Sequence, residues 1–194
     1  NRSDYRKKHL PEFAEWIYRK FGRVYIVPEG GTNQLAIKGA AEIPSLIETE
    51  FDYITSACGT AGTISGVICG LNGAKKALGF AVLRGAAFLN KNAEQNILEF
   101  TGRTFDNWSI NLDYHFGGYA KINRELILFI RQIEEINEIV LDPVYTGKMI
   151  YGIYDLARKG FFGEGKTIVA LHTGGQQGIA GIKTRMNEVL STHI

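Results

Sequence analysis

The sequence predicts an α/β protein in three layers, with a mostly parallel, twisted sheet covered by helices on both faces. Apolar runs at residues 51–56, 77–83 and 167–171 are typical of strands buried on both faces. Helical patterns separate these runs, as in chains that form parallel sheets. Many of the 23 glycines cluster at a few places, and in three of these an apolar run precedes the glycines and a helical pattern follows. Because ligands bind at the carboxyl ends of the strands in such sheets, these loops are expected to converge on one site.

The elements follow from local patterns in chain order. Apolar residues at three- and four-residue steps from Leu10 to Phe21 predict an amphipathic helix that packs by this face and ends at Gly22. A short apolar run at residues 24–27 predicts the first strand, and alternation at 108–112 predicts a further one. The remaining helices are expected at residues 36–49, 64–71, 87–100, 122–140, 150–158 and 179–190.

Composition excludes several classes of protein. A formal net charge of +2 without a basic run argues against a nucleic-acid partner. No apolar run approaches the roughly 20 residues that span a bilayer, so no membrane insertion is expected. Cys58 and Cys69 are too few for a disulfide framework, and His9, His115 and His193 lack the spacing of metal ligands. These features favour a cytoplasmic protein without a metal site.

The segment Gly59–Thr63, GTAGT, stands between a predicted strand and a predicted helix. Such a loop brings backbone N–H groups and two hydroxyls around one anion, aided by the helix N-terminus. It is neither a Walker A loop nor a dinucleotide fingerprint. The alternative is a tight turn without a ligand. The preceding Cys58 is either a thiol with a lowered pKa or a small buried filler.

Four segments together resemble the family of 1-aminocyclopropane-1-carboxylate deaminase and D-cysteine desulfhydrase. They are Val27–Asn33 (VPEGGTN), Ala57–Thr63 (ACGTAGT), Leu141–Lys148 (LDPVYTGK) and His172–Gly175 (HTGG). The resemblance covers nearly the whole chain and implies pyridoxal 5′-phosphate as cofactor on a fold like that of the tryptophan synthase β subunit. It divides the chain into the end of a smaller domain, residues 1–28, and a large cofactor-binding domain, residues 29–194.

The resemblance also assigns residues to roles. Tyr145 and Tyr119 match the two active-site tyrosines of the family, although each is alternatively a half-buried structural tyrosine. Glu29 either faces the cofactor or is an acidic residue at a helix start. The residues implied to bind the cofactor, several of them through its phosphate, are Asn33, Gly59, Thr60, Ala61, Gly62, Thr63 and Thr146.

Thr146 distinguishes the two activities of the family. The resemblance implies that it faces the pyridine nitrogen, where the cyclopropane deaminases carry a glutamate and the desulfhydrase-like members a threonine. A carboxylate keeps that nitrogen protonated and makes the ring a strong electron sink, whereas a neutral hydroxyl does not. The expected function is therefore α,β-elimination on D-cysteine, giving pyruvate, ammonia and sulfide. The alternatives are 1-aminocyclopropane-1-carboxylate deaminase, giving 2-oxobutanoate and ammonia, and a catalytically incomplete fragment or non-catalytic binding module.

The resemblance places the Schiff-base lysine in a segment before Asn1, so this chain alone is expected to be inactive. Lys38 and Lys148 lie close to motifs and are interpreted as solvated helix lysines. His172 is interpreted as a structural hydrogen-bonding residue, with an orienting role near the pyridine ring as the alternative. The expected partners are a small amino-acid substrate and a second copy of the chain in a homodimer, because an incomplete sheet leaves an unpaired edge.

Overall fold

The computed structural model describes residues 7, 8 and 10–191. The chain forms two compact units that divide between Gly31 and Thr32. The boundary predicted after Pro28 is close to this division, and the assignment of the two parts to a smaller domain and a cofactor-binding domain stays a prediction. His9 and His193, which lack the spacing of metal ligands, lie outside the described residues.

The first unit contains helix α1, Pro11–Phe21, which ends at Gly22 with a φ of 74°. The helix is predicted correctly, but its packing is not, because no residue of α1 is buried and Phe21 is 57% exposed. The strand predicted at residues 24–27 is also wrong. A strand needs a neighbour for its hydrogen bonds, and the described part of this unit offers none. Glu29 pairs with Lys8 within the same unit.

The second unit is built on a sheet of four parallel strands in the order β3-β2-β1-β4. The strands are β1, Tyr53–Cys58, β2, Lys76–Ala81, β3, Trp108–Asn111, and β4, Ile168–Ala170. All four lie where the apolar runs and the alternation predict strands. Since β1 is flanked on both sides, the loop that follows it stands at the middle of the carboxyl edge.

Helices cover both faces of this sheet, as the sequence predicts. Ile54 and Cys58 of β1 pack in one cluster with α3, Gly62–Leu71, and α4, Phe88–Thr101. Leu78 and Phe80 of β2 pack in another cluster with α6, Thr146–Arg158. The period-two alternation of strand side chains therefore separates two apolar cores, and the three-layer α/β fold is confirmed.

The remaining helices are α2, Gln34–Ala41, α5, Arg124–Asn137, and α7, Ile179–Ser191. Helix α2 ends earlier than predicted and is followed by a 3₁₀ turn, Ile43–Leu46, since Pro44 lacks a backbone N–H and does not continue a helix. Helix α6 begins earlier than predicted because Asp142 accepts hydrogen bonds from the backbone N–H groups of Tyr145, just before the helix, and Thr146, its first residue. Across residues 10–191, none of the helices has the length and apolar character needed to cross a membrane.

Candidate functional site

The loop Gly59–Ala61 connects β1 to α3 at the carboxyl edge of the sheet. Ala61 adopts a left-handed conformation with a φ of 65°, and no side chain caps the helix that starts at Gly62. The first N–H groups of an α-helix have no partner within the helix and carry its positive partial charge. The loop therefore presents hydrogen-bond donors at the place where the sequence predicts anion binding.

A pair of threonine hydroxyls adjoins this loop. The Oγ1 atoms of Thr32 and Thr60 lie 2.7 Å apart, with either one as the donor. A Cβ atom at Gly62 would lie 2.6 Å from Thr32 Oγ1, so only glycine allows this approach. Sequence reasoning did not select Thr32, and its place beside Asn33 in the VPEGGTN segment was the only signal for it.

The two tyrosines predicted from sequence lie together beside the same loop. The ring centroids of Tyr119 and Tyr145 are 6.0 Å apart, and the rings are nearly perpendicular. A Cβ atom at Gly59 would lie 3.3 Å from Cε1 and 3.6 Å from the hydroxyl oxygen of Tyr145. Tyr119 is 58% exposed. The structure thus brings the ring of Tyr145 close to the GTAGT loop and the ring of Tyr119 next to that of Tyr145.

Asn33 and Thr146 each make a hydrogen bond within the fold. Asn33 Oδ1 accepts the backbone N–H of Ala36 at 2.9 Å and so caps α2. Thr146 is completely buried, and its hydroxyl donates to Asp142 Oδ2 at 2.7 Å. The roles of both residues toward a cofactor stay predictions.

Asp142 organises the start of α6 and was missed as a functional residue. Its buried carboxylate accepts the backbone N–H groups of Val144, Tyr145 and Thr146 at 2.7–2.9 Å. It fixes the backbone of Tyr145 by this means. The signal in the sequence was an aspartate shortly before a helix start, which is typical of capping.

Lys148 corrects a prediction, since it is not a solvated lysine. Its side chain is completely buried, and Nζ donates to the backbone carbonyls of His115 and Gly118 at 2.8 Å each. Desolvation lowers the pKa of Lys148 to about 8, and the negative charge of Asp142 partly opposes this shift. Lys38 is exposed, as predicted.

The surroundings of two further candidate residues, Cys58 and His172, favour structural roles over functional ones. Cys58 is buried at the end of β1, and this burial raises the pKa of its thiol to about 12, which supports the interpretation as a filler. His172 Nε2 lies 2.8 Å from the carbonyl oxygen of Val140, and Nδ1 accepts the backbone N–H of Gly174 at 3.3 Å. These bonds support a structural role for His172.

A cleft of about 460 Å³ opens beside the tyrosine pair. Residues from three loops and α7 line it, among them Tyr119, Tyr145, Asp142, Gly175, Gln177 and Arg185. A volume of this size is within the range of small-molecule sites. The GTAGT loop, the tyrosines and the cleft together form the candidate site.

The buried lysine predicts a pH dependence of stability. Because the pKa of Lys148 is about 8 in the folded state and 10.5 as the reference value, the unfolded chain binds one more proton between these pH values. The free energy of unfolding should therefore rise with pH across this window, by about 2 kcal/mol from about pH 7 to about pH 9.5. Urea titrations of the wild type and Lys148→Met measure the difference, with Lys38→Met as the control. Equal pH slopes in the wild type and Lys148→Met would contradict the prediction.

The sequence was compared with family models and with curated proteins. No family model matches. A putative 1-aminocyclopropane-1-carboxylate deaminase from Pyrococcus horikoshii is 37% identical over 181 residues, which are 88% of this chain and 55% of that protein. A D-cysteine desulfhydrase from Klebsiella pneumoniae is 32% identical over 185 residues, which are 87% of this chain and 55% of that protein. The chain spans about half the length of the curated relatives that it matches.

A solved structure gives the same relationship at the level of the fold. The crystal structure of a homologue of the deaminase matches this chain with a TM-score of 0.77 and 33% sequence identity. The match covers 94% of this chain and 59% of that one. Sequence and fold therefore point to the same relatives.

Proposed function

Because this chain belongs to the family of 1-aminocyclopropane-1-carboxylate deaminase and D-cysteine desulfhydrase, we propose that it is the phosphate-binding part of a pyridoxal 5′-phosphate-dependent enzyme, a lyase or deaminase of small amino acids. The observation that carries this proposal is the GTAGT loop, which has Thr32 on one side and Tyr145 on the other. We also propose that the enzyme is a homodimer.

The residues of the loop fit the phosphate group of this cofactor. A phosphate has only acceptor oxygens when it is ionised, and the loop offers backbone N–H groups at an uncapped helix start. Thr60 and Thr63 add hydroxyls on the same segment. Since either member of the Thr32–Thr60 pair can donate to the other, one proton of the pair remains available for a phosphate oxygen.

The tyrosines supply groups that hold or move protons. When bound, pyridoxal 5′-phosphate withdraws electrons from the substrate through its ring. Tyr145 keeps its phenol group over the loop, and Tyr119 lines the cleft with its ring exposed. Each phenol group both donates and accepts hydrogen bonds. Tyr145 is suited to orient the cofactor side of the site and Tyr119 the substrate side.

We favour D-cysteine as the substrate, with α,β-elimination to pyruvate, ammonia and sulfide. Thr146 supports this choice through the family resemblance, which implies a neutral hydroxyl at the pyridine nitrogen, where a carboxylate would strengthen electron withdrawal. Loss of a thiol tolerates weaker electron withdrawal than the opening of a cyclopropane ring. The second candidate, 1-aminocyclopropane-1-carboxylate, is supported by the name of the Pyrococcus horikoshii relative.

The first test measures cofactor binding by this chain. Thr60→Val should weaken the binding of pyridoxal 5′-phosphate about tenfold, because it removes a hydroxyl from the loop and keeps the shape of the side chain. Isothermal titration calorimetry gives the affinity, and Thr104→Val, at an exposed loop position, is the matched control. Inorganic phosphate should compete with the cofactor. Unchanged binding by Thr60→Val, or no competition by phosphate, would contradict the proposed site.

The second test concerns catalysis. We propose that the lysine that holds the cofactor covalently lies in the part of the relatives' sequence that this chain does not span. This chain alone should then bind the cofactor reversibly, and borohydride reduction should attach it to none of its lysines. A protein of full family length should release sulfide from D-cysteine. Release of 2-oxobutanoate from 1-aminocyclopropane-1-carboxylate alone would favour the second candidate.

A further inference from the structure

We propose that Lys148 is a positioning residue, whose buried ammonium group holds the loop of Tyr119 against the helix of Tyr145 and so sets the spacing of the two tyrosines. Only the effect of this spacing on cofactor binding and catalysis rests on the proposed function. The geometry that supports it belongs to the fold.

The contacts of Lys148 join two separate parts of the site. Lys148 lies in the first turn of α6, directly after the segment that carries Tyr145. Its Nζ atom donates to the carbonyl oxygens of His115 and Gly118 at 2.8 Å each, and Gly118 directly precedes Tyr119. One side chain thus connects the beginning of α6 to the backbone beside Tyr119.

The loop that carries Tyr119 has a backbone that depends on such contacts. Residues 112–123 form neither a helix nor a strand. Positive φ angles occur at Phe116, Gly117, Gly118 and Ala120, with values of 53°, 94°, 125° and 52°. For Phe116 and Ala120 this conformation costs free energy, and it persists only where surrounding contacts enforce it. Lys148 provides two of these contacts.

Two other contacts fix the beginning of the loop to α6. The hydroxyl of Tyr114 donates to Asp155 Oδ2 at 2.7 Å, and the ring of Phe116 packs edge-on against Tyr151 with centroids 4.9 Å apart. Both precede Gly117. The hydrogen bond from Lys148 to Gly118 is the contact with α6 that lies next to Tyr119, so the position of this tyrosine should be sensitive to Lys148.

Lysine suits this task because its ammonium group has three donors and no acceptor. Two donors meet backbone carbonyls, and the carboxylate of Asp142 compensates part of the buried charge. A methionine at this position would fill similar space but leave both carbonyls without this donor. The expected consequence is a displaced loop rather than an emptied core.

The experiment follows the environment of Tyr119 directly by ¹⁹F NMR of protein labelled with 3-fluorotyrosine. The Tyr119→Phe variant assigns its resonance. Lys148→Met should shift or broaden this resonance and leave that of Tyr53 on β1 unchanged, and Lys148→Arg, which keeps charged donors, should restore most of the signal. Lys38→Met, at an exposed lysine of α2, is the matched control. An unchanged Tyr119 resonance in folded Lys148→Met would overturn the proposal.

A second readout separates positioning from a general loss of stability. Lys148→Met should weaken pyridoxal 5′-phosphate binding about tenfold in the wild-type background and have no effect in a Tyr119→Ala background, since coupled residues are not additive. Equal effects in both backgrounds would overturn the proposal. If the wild type binds no cofactor while the Tyr119 resonance still shifts, the proposed function fails and the positioning role stands.

A third variant covers the case in which Lys148→Met does not fold, which circular dichroism detects. Lys148→Gln has a shorter side chain that cannot reach both carbonyls, and it should shift the Tyr119 resonance by an intermediate amount. A wild-type resonance in this variant would likewise overturn the proposal.

Discussion

Replacing Asp142 with alanine is expected to lower the free energy of unfolding by about 3–5 kcal/mol, because it leaves several buried donors without an acceptor. The carboxylate accepts the backbone N–H groups of Val144, Tyr145 and Thr146, and also the hydroxyl of Thr146. Only 3% of Asp142 is exposed, so water cannot replace these bonds without a rearrangement. Urea unfolding followed by circular dichroism measures the loss.

Two further variants sharpen this prediction. Asp142→Asn keeps one acceptor oxygen and should lose roughly half as much stability. Asp106→Ala removes an exposed aspartate and should change stability by less than about 0.5 kcal/mol. If Asp142→Ala were as stable as Asp106→Ala, the hydrogen bonds that Asp142 accepts would not stabilise the protein, and the prediction would be wrong.

Replacing Gly70 with alanine should have the second large effect, a loss of about 3 kcal/mol from overpacking. A Cβ atom at Gly70 would lie 2.1 Å from the carbonyl oxygen of Ala41 and 2.9 Å from its carbonyl carbon. Since these are backbone atoms, α2 must move away from α3. Thr32, just before α2, would then withdraw from Thr60, so phosphate affinity should fall together with stability.

Gly39 provides the matched control in the same pair of helices. A Cβ atom there has no neighbour within 4 Å, and Gly39 lies inside α2. Gly39→Ala should therefore stabilise the protein by about 1 kcal/mol through helix propensity. Thermal and urea unfolding of both variants test the contrast. A similar loss of stability for both variants would mean that the close contact between α2 and α3 is not the cause.

The sheet was predictable because each strand carries its own signal. Apolar runs around Ile54, Phe80 and Val169 mark three of the strands, of which β1 and β2 are largely buried and β4 only partly, and glycine loops follow two of them. The run from Val24 to Val27 looks similar, yet it forms no strand. A short apolar run indicates a preference for extended backbone, whereas a strand also requires a neighbouring strand to pair with, which only the whole fold provides.

The residues of the candidate site that belong to sequence motifs were predictable. The resemblance selected Tyr119 and Tyr145, which the fold brings to within 6.0 Å. The burial of Lys148 was not predicted, because it depends on the passage of another loop over α6. One local signal existed, since Lys148 is four residues before Gly152 and thus on the helix face that packs against Phe80.

The pairing of β1 with β4 has a consequence for the order of folding. Tyr53 pairs with Lys76 nearby in the chain but with Ile168 from its far end. Loop-closure entropy delays such distant contacts, so β1, β2 and β3 are expected to assemble first and β4 to join last. Until then one edge of β1 is open to other chains. The loop at His172 follows β4 directly, so the candidate site takes its final form only when this late step is complete.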